Sequence, residues 1–193
     1  MRLFSPLYDR VMRWSRHPRA PRYLFGLSFA ESSFFPIPPD AMLMPMALAS
    51  PHRAWYLAAL TTVASVLGGL FGYLIGYLAF DLVQPLIEQV GYGDHYDRAQ
   101  EWFAVWGFWT ILLVGFSPIP YKVFTIAAGV VVMPLIPFLL GSLLGRGLRF
   151  FLVAGLMRWG GEPMERALRR HVDLLGWATV ALAVLLYLVI QFR

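Results

Sequence analysis

A chain of 193 residues with 59% apolar and 14% charged residues has too little polar surface to cover a globule in water, where about 25% charged is usual. Its net charge of +5 would raise nucleic acid as a partner for a soluble protein, but the cations flank apolar runs, so anionic lipid headgroups are the expected partner and nucleic acid is not. With no cysteine there is no disulfide and no thiolate site, and His17, His52, His95 and His171 lack zinc spacing, so neither metal nor cofactor is expected.

Residues 1–22 read as an interfacial amphipathic helix. Ser5 and Pro6 suit its start, and His17-Pro18 suits its end. Leu7, Tyr8, Val11, Met12 and Trp14 share one face, with Arg10, Arg13 and His17 opposite. Such a helix lies on an anionic leaflet. Residues 23–50 are apolar but broken by Pro36, Pro38 and Pro39, which leaves two halves too short to span. A re-entrant hairpin is expected there. Residues 54–80 form a run long enough to cross a membrane, with Gly68, Gly72 and Gly76 on one face for close packing. That face could pack within one chain or make a homo-oligomer.

Residues 81–101 read as an acidic external loop, with Asp81, Glu88, Asp94, Asp97 and Glu101 against Arg98 and a turn at Gly91–Asp94. Residues 102–133 form a second broken apolar stretch, interrupted at Pro118 and Pro120. A span over 134–157, a basic cytoplasmic loop over 158–171 and a last span over 172–192 complete the chain. The expected fold is all-α: a polytopic membrane protein with an N-terminal amphipathic helix, two inverted re-entrant hairpins and about three full transmembrane helices, residues 23–193 forming a single membrane domain.

Phe34-x-Pro36-Ile37-Pro38 and Phe116-x-Pro118-Ile119-Pro120 repeat one pattern 82 residues apart. One proline-broken membrane helix means little, but the same break in corresponding halves points to an inverted repeat with a binding site at its junction. With the N-terminus in the cytoplasm, the first hairpin dips in from inside and the second from outside. The Lys/Arg-rich connectors then fall inside.

Five ionisable residues lie within apolar stretches: Glu31, Asp40, Lys122, Arg146 and Arg149. A charge at the helix centre costs about 2.5–3.5 kcal/mol on insertion scales, so these groups must face one another, water or a ligand. Pairing leaves one surplus cation, which suits an anion. Helix N-termini after the breaks add backbone donors for phosphate, and Arg146 and Arg149, three apart on one helix face, are candidates to grip it. Carboxylates held away from water are candidates to carry protons, which applies to Glu31 and Asp40. The competing reading has Asp40 capping the second half-helix and Glu31 paired permanently to an arginine.

At these residues the sequence resembles the DedA family, also described as the SNARE-associated or VTT domain, and most its YqaA-like branch. The resemblance rests on Glu31–Asp40, on Phe116–Gly129 with Met133, and on Gly145–Gly155, and covers roughly 23–157. It implies facing re-entrant hairpins in the bacterial inner membrane and a flippase or scramblase of lipids such as undecaprenyl phosphate or phospholipids. It also implies functional acidic residues at Glu31 and Asp40 and a basic one at Lys122. The usual family pattern has two arginines in the second hairpin. Here only Lys122 stands there and Gly115-Phe116 are uncharged, so Arg146 or Arg149 is expected to supply the missing charge.

The alternatives are a proton- or ion-coupled carrier of small solutes and a non-catalytic assembly factor. An enzyme is not expected, because no His-Glu-x-x-His, Gly-x-Ser-x-Gly or nucleoside-phosphate loop is present and Ser32, Ser33 and Ser117 lack a neighbouring histidine.

Overall fold

Closely spaced prolines interrupt the helices of this chain, because proline lacks an N–H donor and clashes with the preceding turn, whereas the single Pro45 and Pro85 are carried inside helices. The computed structural model describes residues 17–34, 37–89, 93–117, 119–161 and 163, with 81–89 and 93–96 described as backbone alone. Six α-helices and no strand occur among the described residues: α1 (Ala20–Ser33), α2 (Asp40–Ala49), α3 (Ala54–Gln89), α4 (Gly93–Phe116), α5 (Tyr121–Val130) and α6 (Leu135–Gly161), with a 3-10 turn at Pro51–Arg53. The two breaks separate α1 from α2 and α4 from α5 at the repeated proline motifs. Pro36 and Pro118 themselves lie outside the described residues, as do 1–16, 164–171 and the expected span over 172–192.

The two long apolar helices are α3, over Pro51–Phe80 with the preceding turn, and α6, and either could cross a bilayer. Only 39% and 33% of their most apolar windows are buried, whereas a core helix of a soluble protein would be covered. The uncovered residues form outward stripes, such as Val63, Leu67, Phe71, Leu74 and Leu78 on α3 and Trp102, Trp106, Trp109 and Leu113 on α4. Patches of that extent mark contact with hydrocarbon. The protein is an all-α membrane protein.

Helix α3 fixes the level of everything packed on it. Ser28 and Ser32 of α1 meet Thr61 and Ser65 of α3, and Ser33 donates to the Gly68 carbonyl at 2.9 Å. Helix α1 therefore runs parallel to α3 and ends near the middle of its apolar span. Helix α5 takes over at that level, with Tyr121 against Gly69 and Thr125 against Gly72, and Gly129 reaches the Tyr73 carbonyl. Two half-length helices thus lie end to end along one full-length helix. Helix α6 runs the opposite way, with Gly147 near Thr62 and Gly155 against Trp55, and α4 lies beside it with Phe108 at Gly141 and Leu112 at Gly145. The first hairpin opens at the α3 N-terminus and the second at the far end, which is the inverted arrangement.

Glycine permits these approaches. A Cβ at Gly68 would fall on the Phe29 carbonyl, one at Gly76 on the Ile126 carbonyl, and one at Gly72 would lie 2.5 Å from Thr125 Oγ1. The Gly68/Gly72/Gly76 face is thus used inside the chain, against α1 and α5. Gly76→Ala should lower stability by about 1–3 kcal/mol, since backbone must move to admit the methyl group. Gly26→Ala, with nothing within 4 Å of its added Cβ, should be neutral or slightly stabilising. Thermal unfolding of both variants in one detergent checks this contrast.

Some expected boundaries differ. Residues 17–19 form a turn and α1 begins at Ala20 with Pro21 in its first turn, whereas 1–22 was expected as one separate helix. The acidic stretch 81–101, expected as a loop, is helical up to Gln89 and again from Gly93. Extending a helix already formed costs little, so charged residues at a membrane edge continue it instead of ending it. The expected turn at Gly91–Asp94 overlaps residues 90–92, which lie outside the described residues. Helix α6 likewise runs to Gly161, into the stretch expected as the 158–171 loop.

Candidate functional site

The junction of the two hairpins gathers the charges. Helix α6 crosses it and contributes Arg146 at the level of Ser65, near the middle of the α3 span. Arg146 is 1% exposed and its Nη2 contacts Glu31 Oε2 at 2.5 Å. Its Nε donates to Ser65 Oγ at 2.6 Å and its Nη2 to Ser32 Oγ at 3.2 Å. Ser32 and Ser65 bond each other at 2.7 Å, so carboxylate, guanidinium and two hydroxyls close into one network. The guanidinium also lies between two rings, 4.9 Å from the Tyr121 centroid and 4.8 Å from that of Phe150. Tyr121 is fixed in turn by its hydroxyl bond to Ser142 at 2.5 Å. A planar cation suits this slot, because it lies over both rings while its edge donates hydrogen bonds.

Arg149 lies almost one turn further along α6 and joins the two tips. Its Nη2 contacts Asp40 Oδ2 at 2.5 Å, at the start of α2. Its Nη1 donates to the Ser117 carbonyl at 2.9 Å, where α4 ends. This pair is more open than the first, with Asp40 at 16% and Arg149 at 20% exposure. Asp40 Oδ1 is buried with no hydrogen-bond partner among the described residues. Asp40 is the first residue of α2, yet it makes no capping bond to that helix, because Pro39 holds the N-cap and the carboxylate turns to Arg149.

Lys122 occupies the second position of α5, half-buried, with no ion-pair partner among the described residues. The Val123 N–H takes the Pro120 carbonyl at 3.3 Å, and by helix geometry those of Tyr121 and Lys122 have no carbonyl within the helix to bond. Four of the five charges anticipated from sequence are therefore paired, each carboxylate of the first hairpin with an arginine of α6, and the surplus cation is Lys122. Pro38, Pro39 and Pro120 line the breaks next to these groups. Among the described residues there is no cluster of metal-ligating side chains.

Sequence reasoning did not anticipate the hydroxyl network. Ser28 and Ser32 on α1 and Thr61 and Ser65 on α3 are spaced four apart on both helices. That matched polar spacing in two apolar segments was the available signal. Nothing in the sequence pointed to the rings of Tyr121 and Phe150 as a cation slot, since aromatic residues in apolar segments are common.

The sequence pattern of the VTT domain matches residues 37–159, from the first hairpin tip to the end of α6. The chain belongs to the VTT domain family, the DedA family. Glu31 and all of α1 lie before the matched segment, although the structure ties Glu31 to Arg146 within it. Two relatives are each 45% identical over 191 residues, covering 99% of this chain and 100% of the relative: uncharacterized proteins of Haemophilus influenzae and Histophilus somni. No solved structure matches the chain.

Proposed function

We propose that this DedA-family chain translocates a lipid with an anionic phosphate headgroup, such as undecaprenyl phosphate or a phospholipid, across the bacterial inner membrane. Lys122 carries this reading: it is the mid-membrane cation without a carboxylate partner among the described residues. An uncompensated cation in hydrocarbon is costly, and an arriving anion relieves that cost. The N-terminus of α5 adds its dipole and free N–H groups beside the same lysine. Arg149, more open than Arg146 and bonded to the second hairpin at Ser117, is placed to supply a further positive charge at the tips. Exposed Phe34, Ile37, Phe116 and Ile119 at the two tips suit a ligand that brings acyl chains.

Protons are the proposed coupling ion. Displacing Arg149 from Asp40 by a phosphate leaves a carboxylate in a site of low polarity, and protonation there neutralises it. The proposed orientation puts the N-terminus in the cytoplasm, because Arg19, Arg22, Arg53 and Arg158 cluster at the end where the first hairpin opens. The role is transport, not catalysis.

Proteoliposomes with labelled undecaprenyl phosphate, phosphatidylethanolamine or an uncharged lipid, with and without a pH gradient, test this. Phosphate-bearing lipid should cross in a protein-dependent way and the uncharged lipid should not. Equal movement of the uncharged lipid, or movement of none, would reject the reading.

A further inference from the structure

A polar cavity lies at the mouth of the first hairpin, at the opposite end of α1 from the arginine layer. It encloses about 210 Å³ between the turn before α1, the end of α2 and the start of α3. His17, Ser50 and Arg53 supply its polar lining, and Pro21, Met46 and Leu57 its apolar wall. We propose that this cavity binds a phosphate group, presented by an anionic lipid headgroup or free in solution.

Charge is the first argument. Arg53 has no carboxylate partner among the described residues, and between residues 17 and 57 the acidic side chains are Glu31 and Asp40, both held by the arginines of α6. Hydrogen-bond direction is the second. His17 Nδ1 accepts the Arg19 backbone N–H at 3.2 Å, so the neutral ring carries its hydrogen on Nε2 and offers a donor. Ser50 adds a hydroxyl, and the cavity thus presents donors from three side chains with no carboxylate paired to them among the described residues.

Shape and level agree. The cavity is smaller than the roughly 300–1,000 Å³ of a site for a whole drug-sized molecule, and a phosphate with part of a glycerol unit fills it better. Buried Met46 and Leu57 floor it, while His17 and Arg53 stand exposed at its rim, open to a ligand arriving from outside. Trp55 and Trp159, 6.4 Å apart at this same end, mark the headgroup level where an anionic lipid presents its phosphate. The site does not depend on the transport reading, since none of its residues touches the Arg146 or Arg149 network.

Native mass spectrometry and calorimetry on the full-length protein in detergent, in the Lys122→Gln background and at about 0.15 M salt, test the assignment. That background removes the cation on which the transport reading rests. Phosphatidylglycerol affinity should fall about tenfold in Arg53→Gln, less in His17→Gln, and little in Arg22→Gln, an exposed cation at the same end that does not line the cavity. Diacylglycerol, which lacks phosphate, should show no dependence on any of these residues. Inorganic phosphate is the second probe: binding that also needs Arg53 assigns the site to the phosphate group alone, and dependence seen with phosphatidylglycerol only assigns it to lipid. The proposal is overturned if Arg22→Gln weakens binding as much as Arg53→Gln, or if Arg53→Gln and His17→Gln change neither ligand's affinity while thermal unfolding shows all variants folded.

Discussion

Arg146→Ala should destabilise the folded protein by about 3–5 kcal/mol, the usual cost of breaking a buried pair by deleting one partner. The substitution leaves Glu31 in the bilayer without its counter-ion and strips Ser32 and Ser65 of their shared donor. It also empties the slot between Tyr121 and Phe150. Arg146→Lys should recover only part of the loss, since an ammonium neither stacks on two rings nor presents a planar edge to three oxygens. Adding Glu31→Gln to Arg146→Ala should be less damaging than Arg146→Ala alone, because the stranded charge is removed. Thermal and denaturant unfolding in a single detergent measure all four proteins. An Arg146→Ala variant within 1 kcal/mol of the parent would contradict the clamp.

Lys122→Gln should behave in the opposite way, with little effect on folding and a large one on transport. The lysine is half-buried and makes no ion pair among the described residues, so its loss should change stability by less than about 1 kcal/mol. Translocation of a phosphate-bearing lipid should fall about 10- to 100-fold, the scale of one or two charge-assisted bonds. Lys122→Arg should retain most of the rate. Fluorescent-lipid translocation in proteoliposomes, beside an unfolding curve for each variant, separates the two effects. Full transport by Lys122→Gln would remove the lysine from the site, and a collapse in stability would make it structural.

The sequence announced the hairpins because proline acts locally. Pro38, Pro39 and Pro120 stand where helices stop, and the repeated Pro-x-Pro pattern at 36–38 and 118–120 makes the broken segments readable from residue order, whereas the single Pro45 and Pro85 are carried inside α2 and α3. The need for charge pairing was equally legible, since five ionisable groups in apolar segments cannot all face lipid. Which groups pair was not legible. Glu31 and Arg146 are separated by 115 positions, and only the register of α1 and α6 against α3 brings them together. Arg146 and Arg149 looked equivalent as neighbours on one helix face. The small rotation between positions three apart sends one into the Tyr121–Phe150 slot and the other to the tips.

The edges of the elements were hidden for a different reason. Acidic residues between 81 and 101 suggest a solvated loop, but solvation is compatible with helix, and the backbone stays helical past the apolar run. Asp40 shows the same competition at a single residue. An aspartate after prolines at a helix start reads as a cap, yet an arginine across the junction outbids the helix for its carboxylate.

The most direct test of α6 tying down the first hairpin's tip inside the bilayer is a double-mutant cycle on Asp40 and Arg149, residues 109 positions apart joined by one ion pair. Asp40→Asn, Arg149→Gln and the double variant are unfolded in the same lipid-detergent mixture. A contact through low-polarity surroundings predicts a coupling of at least about 1 kcal/mol, within the 0.5–3 kcal/mol found for touching residues. Simple additivity of the two single effects would mean the first hairpin's tip does not meet α6 at Arg149, and would contradict the junction on which the site and its proposed transport depend.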